Sequence, residues 1–312
     1  MPTILDHKDD YLLVVGGTGF IGQWVVKAAI KRGYKVGVLS STHLQTLKKL
    51  RGVDYLKANL LDKKELLIEL QSHRITHVVN LSGKIHHSSY LEGGRAILET
   101  HFIGVLNLVE VLDWKSLKCF IQVGSSDEYG NNQSPQNEKQ NEDPISSYAV
   151  GKASATKFLQ MLHKTEGFPV VITRLFLVYG PGQNKYRFLP QIITECLNNK
   201  VFPTSLGEQL RDFCYVEDIS EGLLKILETS NFFGEIFNLA SGKPISIRKV
   251  TEQIITIIGS GKAKIGSLPY RKCENMSLYA DISKANELLL WMPKINLKDG
   301  LNKTISFYRE DL

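Results

Sequence analysis

The chain has 312 residues, an apolar content of 43% and a formal charge of +6. That length admits one large α/β domain with a smaller partner, the composition is that of a soluble globular protein, and no apolar run is long enough to cross a bilayer. The mild charge comes without a Lys/Arg cluster, which excludes a nucleic-acid surface.

Four cysteines (Cys119, Cys196, Cys214 and Cys273) are scattered without C-x-x-C spacing. They predict no metal centre and no disulfide framework, and suit a reduced, cytoplasmic setting. The opening MPTILDHKDD is polar and acidic and does not resemble a signal peptide.

Residues 11–15, YLLVV, read as a buried strand, and an apolar helical pattern follows over 20–29. Between them Gly16, Gly19 and Gly22 fall on a G-x-x-G-x-x-G spacing. A dinucleotide pyrophosphate requires a sharp turn off the strand, close backbone approach and a tightly packed helix, and residues without a Cβ permit all three. Gly16, Thr18, Gly19, Phe20, Ile21 and Gly22 are therefore candidates to hold the pyrophosphate against the helix N-terminus. Glycine turns also serve geometry alone; the strand–turn–helix context favours the dinucleotide.

Strands are then predicted over 35–39, 54–57, 77–81 and 119–123, and helices over 63–71 and 90–112. In the last of these, Phe102, Val105, Leu106, Val109 and Leu112 recur at helical spacing. Such alternation predicts an α/β Rossmann fold: a doubly wound parallel sheet that binds ligands at the carboxyl ends of its strands. Asn59 and Leu60 after the third strand, and Leu81, Ser82 and Gly83 after the fourth, complete the expected cofactor surface. Asp62 either joins them or caps the following helix.

The second strand ends in Ser40-Ser41-Thr42-His43 rather than an acid. Nothing there repels a ribose 2′-phosphate, so among NAD(P) cofactors NADP(H) is favoured, with Ser40, Ser41 and His43 as hydrogen-bonding groups.

Ser125 stands at the end of the fifth strand, in VGSSDEYG. After a polar loop, Tyr148 and Lys152 open a helix four residues apart, on one face. A lysine ammonium near a tyrosine hydroxyl favours the phenolate. Such a tyrosine exchanges a proton with an alcohol or carbonyl oxygen near neutral pH. The competing reading is a surface Tyr/Lys pair.

Together these motifs resemble the extended short-chain dehydrogenase/reductase family: nucleotide-sugar epimerases, dehydratases and reductases. The resemblance continues through RLFLVYGPG at 174–182, GEQLRDFCYVED at 207–218, and RKCENMSLYAD at 271–281 with LWMP at 290–293. It implies that Ser125, Tyr148 and Lys152 are catalytic and that Lys152 also contacts the cofactor. It further implies that Arg211 and Arg271 face a substrate diphosphate and Glu274 its ribose. Arg211 could instead pair with Asp212 or Glu217. Ser126, Asp127 and Arg187 are further substrate candidates.

Three departures bear on chemistry. The family's 4,6-dehydratases often carry an acid pair after the catalytic hydroxyl. Aligned on Tyr129-Gly130, this chain has Ser126-Asp127 there, or Asp127-Glu128 after a one-residue shift. Leu177 and His101 each replace an asparagine of many relatives. GSSDEYG with PISSYAVGK is similar to GDP-4-keto-6-deoxymannose reductases. The later stretches are similar to CDP-abequose and CDP-paratose synthases.

The expectation is an NAD(P)-dependent oxidoreductase acting at C4 of a nucleotide-activated sugar, foremost as a 4-ketoreductase. The rivals are an NAD-retaining 4-epimerase, a tight-NAD 4-dehydrogenase and a non-catalytic dinucleotide sensor. Residues 1–176 form the expected dinucleotide domain, and 177–312 a smaller interleaved substrate lobe. A homodimer through the helices near 90–112 and 148 is implied by the resemblance. In the second part, helices are predicted over 188–198, 219–227, 247–258 and 283–289, and strands over 213–216 and 235–239. Asp218 is read as the cap of the helix after it.

Overall fold

The computed structural model describes residues 7–41, 49–83, 85–86, 88–229, 231–270 and 274–310. The chain forms two compact units, one of Met1–Gly130, Asn141–Arg174 and Ser220–Phe237, the other of Asn131–Gln140, Leu175–Ile219 and Asn238–Leu312.

The first unit is built on strands β1 (Tyr11–Val15), β2 (Lys35–Ser40), β3 (Val53–Lys57), β4 (His77–Asn80), β5 (Cys119–Ser125) and β6 (Val170–Leu175). With β10 (Ile236–Leu239) they form a seven-stranded sheet in the order β3-β2-β1-β4-β5-β6-β10. β1 pairs parallel with β2 and β4, β2 with β3, and β4 with β5. Every residue of β1, β4, β5 and β6 is buried, which is why these strands are mostly apolar and do not alternate. The chain runs outward from β1 to β3 and returns on the other side at β4. The crevice at the carboxyl ends of β1 and β4 is therefore the topological switch point, where such sheets bind ligands.

Helices α1 (Phe20–Lys31), α2 (Lys63–Leu70), α3 (Gly94–Val111) and α4 (Ser147–Glu166) supply the crossovers. Val105, Leu108, Val109, Leu159 and Leu162 join Leu13, Val78, Phe120 and Ile172 in one buried cluster. Burying each such side chain contributes roughly 1.5–3 kcal/mol.

The helix predicted over 90–112 is shorter than its apolar spacing suggested. Tyr90–Glu92 form a separate 3-10 turn, and Gly93, at φ +108°, breaks the chain before α3 starts. Ser146 caps α4 by accepting the Ala149 N–H at 3.1 Å. Gly167, at φ +73°, ends that helix in the left-handed conformation.

The second unit pairs β9 (Leu210–Tyr215) with β7 (Leu177–Tyr179), β11 (Pro244–Ser246) and β13 (Ser277–Leu278), and β8 (Val201–Pro203) with β12 (Lys262–Lys264). α5 (Phe188–Leu197), α7 (Ile247–Ile258) and α9 (Leu297–Glu310) contribute to its core, and α8 (Ser283–Leu289) precedes α9.

Two expectations are corrected here. The strand predicted over 213–216 ends at Tyr215, and Val216 already opens α6 (Val216–Leu227). Asp218 accordingly lies inside the first turn of α6 rather than capping it. Its carboxylate accepts the N–H groups of Lys294 and Ile295 at 3.0 and 2.9 Å. Burial pushes this carboxyl above the usual range, against those two hydrogen bonds. α9 lies outside the helices that the sequence predicts, although Leu301, Ile305 and Tyr308 carry its helical spacing and are buried. No helix among the described residues is long and apolar enough to cross a membrane.

Candidate active site

The glycine turn folds as its spacing requires. Gly16 sits at φ +77°, and a Cβ there would lie 3.1 Å from the Leu81 carbonyl oxygen, so the turn closes directly onto the end of β4. A Cβ on Gly22 would collide with the Gly16 carbonyl, so α1 packs against the turn only because position 22 is bare. Gly19 caps α1 with no side-chain acceptor, so the orphan N–H groups of the first turn are presented to an anion. This cradle fits a dinucleotide pyrophosphate. Gly16→Ala is expected to weaken NADH binding by about tenfold or more, since a strained backbone costs roughly 1–3 kcal/mol. Fluorescence titration checks this, and unchanged affinity would contradict the placement.

Around the turn, Thr18 Oγ1 lies 3.0 Å from Ser40 Oγ, linking the turn to the end of β2. Thr42 and His43 lie outside the described residues. Asp62 is a cap: its carboxylate accepts the N–H groups of Lys64 and Glu65. Asn59 is exposed, with its N–H donated to Glu65 at 2.7 Å. Leu60 is buried, its carbonyl accepting Asn107 Nδ2 at 2.8 Å and its side chain against Gly104 of α3. Leu81 donates its N–H to Val15, and Ser82 donates its own to Asn80 Oδ1. Phe20 and Ile21 occupy the first turn of α1.

Ser125 ends β5, and Tyr148 and Lys152 stand one turn apart on α4. All three are buried, Tyr148 at 4% exposure and Lys152 at 5%, so the surface-pair reading does not hold. Lys152 Nζ donates to the Val123 carbonyl at 2.7 Å, which brings its ammonium to β5, two residues before Ser125 at the strand's end. Burial pushes the lysine down to about 8, and the Glu128 carboxylate acts against that shift. Ser125 Oγ accepts the Asp127 N–H at 3.2 Å. That contact occupies a lone pair and leaves the hydroxyl hydrogen to donate to a ligand oxygen.

His101 on α3 packs edge-on against Tyr148, with ring centroids 4.9 Å apart and planes at 88°. A Cβ on Gly83, at φ +101°, would strike the His101 ring. The imidazole is thus seated between the end of β4 and the Tyr148 ring. Its substitution for asparagine was visible in the sequence, but this packing was not.

A one-residue shift of the alignment would make Asp127-Glu128 an acid pair. Glu128 is fully buried and committed to the protein. Oε1 accepts the Ser125 N–H at 2.8 Å, while Oε2 accepts Thr156 Oγ1 at 2.9 Å and Arg174 Nε at 3.1 Å. Ser126 is buried and Asp127 half-buried in the same 3-10 turn.

In the second unit, Arg211 pairs with Glu274 and donates Nη1 to the Leu210 carbonyl at 2.8 Å. Asp212 instead holds Ser241, Gly242 and Ala280, and Glu217 pairs with Lys303. Arg187 is exposed at the cap of α5. Arg271 lies outside the described residues. No group of three metal-ligating side chains occurs among the described residues.

Comparison with known proteins agrees with this arrangement. The family model "NAD dependent epimerase/dehydratase family" matches residues 12–240. A UDP-glucuronate 4-epimerase from Thermodesulfobacterium geofontis is 31% identical, with 97% of each chain covered. The structure of a UDP-glucose 4-epimerase from Thermotoga maritima with UDP-glucose matches at a TM-score of 0.87 and 28% identity, over 96% of this chain and 99% of that one. A Bacillus cereus UDP-glucuronic acid 4-epimerase in complex with UDP-glucuronic acid and NAD matches at 0.86 and 26%, over 97% and 100%. With its glycine turn at the switch point of the sheet, and matches of this extent, the chain belongs to the NAD dependent epimerase/dehydratase family and is an enzyme of the extended short-chain dehydrogenase/reductase type.

Proposed function

We propose that this enzyme interconverts nucleotide-activated sugars at C4 as an epimerase that retains NAD. The observation that supports the reading is the reach of Lys152 from α4 to the Val123 carbonyl of β5, the strand that ends in Ser125, with Tyr148 buried one turn before the lysine; β5 lies two strands from the glycine turn. Three relatives of 26–31% identity, all named as 4-epimerases, support it.

NAD, held at the Gly16–Gly22 turn, would supply a reversible hydride acceptor for C4. Tyr148 as phenolate accepts the hydroxyl proton when C4 is oxidised, and gives a proton back when C4 is reduced. Lys152 as ammonium favours the phenolate. Ser125 donates a hydrogen bond to the sugar oxygen. Arg187, Arg211 and Arg271 are proposed to meet the nucleotide and diphosphate, for which arginine offers bidentate contacts. Glu274, Ser126 and Asp127 are proposed to meet the sugar and ribose hydroxyls. In this reading residues 1–176 serve the dinucleotide and 177–312 the substrate. Dehydration is disfavoured, because elimination requires an acid and a base and Glu128 is spoken for by Ser125, Thr156 and Arg174.

The lysine sets a pH dependence. Its folded value is depressed to about 8, so the ammonium is lost as pH rises through that value. kcat/KM is expected to fall on an alkaline limb near there. A limb only near the ordinary lysine value, about 10.4, would contradict the role.

A second reading, an NADPH-dependent 4-ketoreductase, is favoured by Ser40 standing where an acid would repel a 2′-phosphate. Denaturing the purified protein and weighing the released dinucleotide separates the two. Stoichiometric NAD(H) supports the epimerase, whereas an empty site preferring NADPH supports the reductase. The buried free thiols of Cys119, Cys196 and Cys214 suit action in the cytoplasm. Ile103 on α3 and Met161 on α4 are apolar and exposed, and support a homodimer through those helices.

A further inference from the structure

We propose that Glu128 is a positioning residue of this site: its buried carboxylate locks the end of β5, the face of α4 and β6 into the arrangement that presents Ser125 and Lys152. The proposal rests on the roles given above to those two side chains.

The geometry is that of a three-way tie. Glu128 Oε1 holds the backbone N–H of Ser125, and Ser125 Oγ holds the N–H of Asp127. This reciprocal capping box fixes both the backbone and the hydroxyl of Ser125. Glu128 Oε2 holds Thr156 Oγ1. Thr156 lies one turn beyond Lys152 on α4, so the carboxylate anchors the helix face from which Lys152 reaches Val123. Arg174 on β6 supplies the countercharge at 3.1 Å. The space is reserved for this group, since a Cβ on Gly124 would strike Glu128 Oε1.

Glu128 also acts through charge. Burial disfavours the Lys152 ammonium, and the Glu128 carboxylate supports it. The other titratable groups around the pair are Tyr148 on α4, His101 on α3, Asp127 and Tyr129 in the 3-10 turn, Arg174 on β6, and Glu142 on the far side of Arg174. Glu142 pairs with Arg174 without touching Ser125 or Thr156, which makes Glu142→Gln the control.

The test compares wild type, Glu128→Gln and Glu142→Gln. The readouts are denaturant midpoint, NADH affinity against pH, and kcat and KM against pH for UDP-glucose and UDP-glucuronic acid. Glutamine keeps the shape and removes the charge. The proposal expects E128Q to lower kcat about 10–100-fold with little change in KM, and to move the alkaline limb of NADH binding and turnover down by about one pH unit. E142Q should shift the denaturant midpoint and leave the alkaline limb in place. An E128Q protein that loses stability but keeps the wild-type alkaline limb and kcat would reduce Glu128 to a structural ion pair and overturn the proposal. If the wild type binds NADH but converts no nucleotide sugar, the functional reading fails, and the NADH–pH curves still decide the role of Glu128.

Discussion

Replacing Tyr148 by Phe is expected to lower kcat by about 10³–10⁴-fold while NADH binds with nearly wild-type affinity. In the proposed mechanism the Tyr148 phenol exchanges a proton with the sugar oxygen, and general acid–base catalysis contributes on this scale. The ring itself is retained, so its edge contact with His101 survives. The fold and the glycine turn are then undisturbed. Steady-state kinetics with a parallel fluorescence titration separate the two effects. Turnover within tenfold of wild type would remove Tyr148 from the chemistry. Equal loss of NADH affinity would mean that it shapes the cofactor site instead.

Replacing Arg174 by Met is expected to destabilise the first unit by about 3–5 kcal/mol, the cost of leaving a buried charge without its partner. Arg174 has no exposed side-chain surface. It lies between Glu128 and Glu142, with its guanidinium 4.4 Å from the centre of the Tyr129 ring. Although burial disfavours its charge, the surrounding acids and Tyr129 hold its pKa above the ordinary arginine value. Methionine fills much of the volume but strands the buried Glu128 carboxylate, while Glu142 keeps Lys157. Urea denaturation followed by circular dichroism reads the loss. A change below about 1 kcal/mol, typical of an exposed pair, would show the cluster to be energetically idle.

What could be read from the sequence was what local spacing encodes. The glycine turn, the strand-ending Ser125 and the Tyr148/Lys152 pair each lie within a few residues of one another or within one element, and strand–helix alternation fixes the doubly wound sheet. Partnerships at long range were not legible. Glu128 meets Arg174 across 46 residues, and Arg211 meets Glu274 across 63. No pattern in the chain says which carboxylate a buried arginine will choose. Asp218 misled for a related reason. An acid just ahead of an apolar periodic run resembles a cap, but Val216 had already entered the helix. Apolar spacing continues through Tyr90 and Leu91 and predicts a longer α3, whereas the helical backbone begins only after Gly93.

The most direct test of the account is to incubate the purified enzyme, with no dinucleotide added, with UDP-glucuronic acid or UDP-glucose and to follow the sugar by proton NMR. The C4 epimer is expected to accumulate to equilibrium with no net formation of reduced cofactor, and not to form with Tyr148→Phe. No epimer from either sugar, together with NADPH-dependent reduction of a 4-keto nucleotide sugar, would contradict it.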